Sequence, residues 1–82
     1  MPAGEVFRFC IRNMGAEVEF ELRGENQPGW KYYRIERYSG CGFLFSPVIE
    51  VRAEPALLDV RTEKKFWLDI HEIFSIKLRN NE

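Results

Sequence analysis

Two runs near the start of the chain alternate between apolar and polar residues. From Val6 to Arg12, Phe7, Phe9 and Ile11 point one way and Arg8, Cys10 and Arg12 the other. From Glu17 to Arg23, Val18, Phe20 and Leu22 stand against Glu17, Glu19 and Glu21. A period of two is the signature of a half-buried strand, and Asn13-Met14-Gly15-Ala16 between the runs carries turn residues. The pattern predicts a β-hairpin. With Met14 and Gly15 as loop, Arg12 faces Glu17, Ile11 faces Val18, Phe9 faces Phe20, Arg8 faces Glu21 and Phe7 faces Leu22. A three-residue loop would set apolar residues opposite glutamates. Burial of one face specifies register strongly, so an even-length loop is expected, of two residues or four.

Pro28-Gly29 suits a type II turn and leads into Trp30–Phe45, which holds half of the chain's twelve aromatic residues. Residues 30–38 are not cleanly apolar on either face. Tyr33 and Ile35 lie on one side, Trp30, Tyr32 and Tyr38 on the other, as in a long bent strand with a bulge. Gly40-Cys41-Gly42 reads as a tight corner, Phe43-Leu44-Phe45 as a return strand, and Ser46-Pro47 as its end. Val48–Ala53 alternates again until Glu54-Pro55. Residues 56–61 fit a helical turn followed by a strand start, and Thr62–Lys65 a polar turn. In Phe66–Arg79, strands with Phe66, Leu68, Ile70, Phe74, Ile76 and Leu78 inward are favoured over one helix. The helix would set Lys77 in the middle of its apolar face and lacks a convincing cap. One helical turn is expected around Ile70–Ile73.

The sum is an all-β single domain over residues 1–82: a small SH3-like or Sm-like barrel of five to seven short antiparallel strands with at most one short helical turn. Residues 1–5 and 80–82 are expected to be flexible. Eighty-two residues bury a limited core, so self-association is a natural source of added stability. The net charge of −1 argues against bulk attraction to nucleic acid or anionic membrane, while leaving room for a local basic patch. Eight of the twelve cations are arginine, which favours paired and interface roles. No apolar run approaches the length of a transmembrane helix, and the start lacks a signal-peptide pattern, so a cytoplasmic location with reduced thiols is expected.

Lys31, Arg34 and Arg37 interleave with Trp30, Tyr32, Tyr33 and Tyr38. Arginine and aromatic side chains in this mixture suit a protein interface. They also suit single-stranded nucleic acid, whose bases stack on rings while cations track phosphates. The same aromatics serve equally well as core, with the arginines balancing Glu17, Glu19 and Glu21. Trp67, placed outward beside Asp69 by the alternation, is a further interface candidate. The expected partner-binding set is therefore Trp30, Tyr32, Arg34, Arg37 and Trp67, and the partner a protein, a second copy of the chain, or nucleic acid. Cys41 with the sole histidine, His71, is the one nucleophile–base combination, and nothing in the sequence brings the two together. Cys10, Cys41 and His71 lack metal-ligand spacing. No enzymatic activity, cofactor or metal is expected.

Two resemblances add to this. Arg37-Tyr38-Ser39-Gly40-Cys41-Gly42-Phe43-Leu44-Phe45-Ser46, preceded by Arg8-Phe9-Cys10-Ile11-Arg12, resembles the two motifs of PilZ domains, with Arg37 where that family has an acidic or amide residue. The resemblance implies cyclic di-GMP bound by Arg8, Arg12, Ser39 and Gly42. Across a hairpin, however, Arg8 and Arg12 would pair with Glu21 and Glu17. The bent strand, polar turn and Phe66–Leu78 run are similar to the end of SH3-like and Sm-like barrels, and the Sm-like resemblance implies ring assembly and RNA binding.

Overall fold

The computed structural model describes residues 1–24, 29–49 and 64–80. An N-terminal helix, α1 (Ala3–Arg12), precedes five strands: β1 (Glu17–Leu22), β2 (Tyr33–Ser39), β3 (Gly42–Pro47), β4 (Phe66–Asp69) and β5 (Ile73–Leu78), with a 3₁₀ turn at Ile70–Glu72 between the last two. All strand pairings are antiparallel, in the order β4-β3-β2-β1-β5. Among the described residues the sheet does not close into a barrel. The readings of residues 48–63, like that of Pro28-Gly29 as a complete turn, fall wholly or partly outside the described residues.

The first alternating run is a helix and not a strand, and a full ten residues rather than a single turn. The reason lies in which residues are apolar. Ala3, Val6, Phe7 and Cys10 stand at i, i+3, i+4 and i+7, the spacing of one helix face, and Val6 and Cys10 are fully buried. Cysteine behaves as a small hydrophobe here, so assigning it to the polar side made the alternation look cleaner than it is. Pro2 opens the helix, its carbonyl accepting from Glu5 and Val6. Glu5 in the first turn and Arg12 in the last complement the dipole. At the far end the Asn13 amide donates to the Phe9 carbonyl at 2.8 Å, and Gly15 follows at φ 84°. Residues 3–5 are thus helix and not a loose lead-in. The expected hairpin across Met14-Gly15 does not exist, and Arg8 and Arg12 do not pair with Glu21 and Glu17.

The strand β1 is where the second alternation places it, with Val18 and Phe20 buried. Its partners are instead β2 and β5: Val18 faces Tyr33 and Leu78, and Phe20 faces Ile76. The glycine-rich corner is a two-residue hairpin loop, Gly40-Cys41, with Ser39 opposite Gly42. Positive φ at its first position alone, 58° at Gly40, is the type II′ pattern that follows strand twist. Glu36 is an extra residue between the Ile35–Phe45 and Arg37–Leu44 pairs, a bulge that bends β2. In the last segment, strand, single turn and strand follow as the sequence suggests. Phe74, however, is a second bulge residue, between the Leu22–Ile73 and Glu21–Ser75 pairs. It and Leu78 are half exposed, while Ile73 is buried in their stead.

The core lies on the sheet face covered by α1. Phe20, Tyr33, Phe43, Phe45, Ile35, Ile73 and Ile76 meet Val6 and Cys10 there. Ring centroids 4.9 Å apart for Phe20–Phe45 and 5.0 Å for Phe20–Tyr33 link the strands, and Phe7–Phe43 at 5.6 Å ties the helix to the sheet, within the spacing at which aromatic pairs attract.

Candidate functional site: the outer sheet face and its two edges

The face away from α1 is built by cross-strand rows. In one row Glu17 of β1 is shared between two arginines. Its Oε1 lies 3.1 Å from Arg34 Nη2, and its Oε2 lies 3.0 Å from Arg79 Nη1. Lys77 Nζ reaches Glu19 Oε1 at 3.1 Å. The Ser46 hydroxyl donates to Glu36 at 2.6 Å, with Lys65 4.0 Å from the same oxygen. That hydroxyl bond, more than the neighbouring cations, holds Glu36 below the usual carboxylate range. The second row is Arg37, Leu44 and Trp67, consecutive partners on β2, β3 and β4. Leu44 is buried but stands outside the core cluster. Trp67 is 49% exposed.

The expected partner-binding residues therefore do not form one surface. Arg34, Arg37 and Trp67 share the outer face. Trp30 does not: it is 3% exposed and belongs to the core, and its backbone N–H donates to the Tyr33 hydroxyl at 3.0 Å. It precedes β2, so strand parity could not place it. Tyr32 is half-buried beneath cations, with Arg79 4.3 Å and Lys31 5.4 Å from its ring centroid. The residues singled out by the PilZ resemblance are divided between elements. Arg8 and Arg12 are exposed on α1, one turn apart, and Ser39 and Gly42 close the β2–β3 hairpin.

Cys41 is exposed at the hairpin tip, and its carbonyl accepts from the Ile70 amide at 3.0 Å. The chain path thus brings Cys41 beside the His71 turn. There His71 Nδ1 lies 2.6 Å from Asp69 Oδ1, and the His71 amide donates to the same oxygen at 2.9 Å. The Asp69 amide in turn donates to Glu72 Oε2 at 2.9 Å, completing a capping box. The backbone bond from His71, then its ring, hold Asp69 below the usual carboxylate range. These interactions assign Asp69 and His71 to shaping the turn. Cys10 and Cys41 are free thiols, and no cluster of three metal-ligating side chains occurs among the described residues. No described helix is long and apolar enough to cross a membrane.

Sequence reasoning missed the edges. β4 and β5 end the sheet, each with a strand neighbour on one side only among the described residues. Both carry exposed apolar side chains: Trp67 on β4, and Phe74 and Leu78, 50% and 48% exposed, on β5. The sheet order that makes these two strands the edges is a long-range property, absent from local periodicity. Comparison with known proteins finds no family model, no curated protein and no solved structure that matches the chain.

Proposed function

We propose that the protein is a non-enzymatic, self-associating module that acts in the cytoplasm through protein–protein contacts, and that copies join by pairing β4 of one with β5 of the next. The observation that carries this reading is that β4 and β5, at the two ends of one sheet, each have a strand neighbour on one side only among the described residues. An edge strand presents unpaired backbone donors and acceptors and is a template for another strand. The two edges here are different strands with apolar side chains beside them, so their pairing is head to tail. Such contacts give a closed ring when the rotation between copies closes, and an open filament otherwise. The bulges at Glu36 and Phe74 and the 3₁₀ turn before β5 favour a curled sheet of the SH3-like or Sm-like kind. Arg37, Leu44 and Trp67 then form the patch that remains for a protein partner, with arginine and tryptophan as anchors.

Light scattering on eluting protein tests the reading. Wild type is expected to run at a multiple of its 9.7 kDa chain mass. Trp67→Lys, a charge placed on an edge strand, is expected to run as a folded monomer. A wild-type monomer at every concentration overturns the proposal. Nucleic acid, the other partner suggested by the sequence, has the cations around Tyr32 in its favour and Glu17 and Glu19 beside them against it.

A further inference from the structure

We propose that the cleft between β5 and the segment leading into β2 binds a small molecule through a phosphate group. The cleft has a volume of about 510 Å³ and is walled by Lys31, Tyr32, Lys77, Arg79 and Glu19, within the roughly 300–1,000 Å³ typical of ligand sites. Three cations and one carboxylate line it, and Glu17 against Arg79 adds a second carboxylate, so the local balance is one positive charge in a chain whose net charge is −1.

The cations are held in place by neighbours rather than by chance. Arg79 lies across the Tyr32 ring at 4.3 Å and is tethered by Glu17 at 3.0 Å, with its side chain 27% exposed. Its guanidinium plane is therefore set before any ligand arrives, which lowers the ordering cost of binding. Lys31 sits by the same ring at 5.4 Å and makes no ion pair among the described residues. Lys77 is held to Glu19, but its side chain is 75% exposed. An exposed pair of this kind is weak and yields readily to a stronger anion. A planar donor fork with two mobile ammonium groups matches a tetrahedral group bearing up to two charges. A monocarboxylate would leave one ammonium group unanswered. With both cations at the Tyr32 ring, recognition rests on the charged group rather than on stacking of a base.

Two-dimensional amide NMR of the full chain tests this, with adenosine 5′-monophosphate, inorganic phosphate, adenosine and a short oligothymidylate as probes at constant ionic strength. Saturable shifts at Lys31, Tyr32 and residues 77–79 are expected with adenosine monophosphate or inorganic phosphate, the tighter of the two identifying the source of the phosphate. Lys31→Ala/Lys77→Ala is expected to weaken binding by about tenfold or more while leaving the core resonances in place. The proposal is overturned by no saturation with either phosphate probe, by adenosine binding as well as its monophosphate, or by undiminished binding in the double variant. It is equally overturned if only the oligonucleotide binds.

Discussion

Glu17 shows how much one residue organises on the outer face. Each of its carboxylate oxygens holds a different arginine, one on β2 and one just past β5, so a single side chain spans three strands. Its side chain is 29% exposed, and surface pairs of this kind contribute modestly. Glu17→Gln is expected to cost about 0.5–1 kcal/mol in urea unfolding, with the loss shrinking as salt is added. The two cysteines differ by their surroundings. Burial pushes the Cys10 thiol up to about 12, whereas Cys41 is exposed. In native protein a thiol reagent is expected to modify Cys41 at once and Cys10 only on unfolding. An unfolded cysteine ionises near ~8.5, so the Cys10 contribution to stability is complete below that pH and is lost as pH rises toward about 12. Asp69 works in the opposite direction. Its folded value is depressed, so its contribution is present above the ordinary carboxylate value of ~3.9 and disappears as pH falls through the lower folded value. Asp69→Asn is expected to flatten the acid limb of the stability–pH curve below about pH 4.

At the scale of elements, α1 is the sharpest departure from the sequence reading, and two glycines test it with opposite signs. Gly4 lies within the helix, where an added Cβ meets only the end of the Arg8 side chain at 3.7 Å. Gly4→Ala is expected to stabilise by about 0.5–1 kcal/mol, the helix preference of alanine. Gly15, at φ 84°, turns the chain from helix to strand, so Gly15→Ala is expected to cost about 1–2 kcal/mol. Thermal unfolding of both variants checks the pair, and an unchanged Gly4→Ala would contradict a helix that begins at Ala3. Strands β1, β3 and β4, the tight corner at Gly40-Cys41-Gly42, and the turn before β5 were legible because each rests on local signals: alternation, paired glycines, and polar residues between apolar runs. The helix was not, since seven residues of alternation overlap a helical stripe and only the burial of Cys10 separates them. The bulge at Phe74 reverses parity there, so Phe74 turns outward; Leu78 keeps the parity of buried Ile76 and is half exposed as the last residue of β5. Of the candidate surface, Trp67 was legible as an outward-facing strand residue, whereas Arg37 shares the parity of Tyr33 and Ile35 and reaches the outer face only through the Glu36 bulge. Trp30 was not legible, because it lies before its strand and folds onto the core.

For the whole molecule, the open sheet is the feature that most needs a partner. A chain this short gains from burying more apolar surface, and half-exposed Trp67, Phe74 and Leu78 lie on the two strands that end the described sheet. A head-to-tail contact also makes a demand that a symmetric one does not. Trp67→Lys blocks the β4 edge and leaves β5 open, whereas Leu78→Lys blocks β5 and leaves β4 open. Mass measurement of the two variants, alone and mixed in equal amounts, is the most direct test. Each alone is expected to be monomeric, and the mixture is expected to form a one-to-one dimer that grows no further. Failure of the mixture to associate, or dimers formed by either variant alone, would contradict edge-to-edge pairing of β4 with β5.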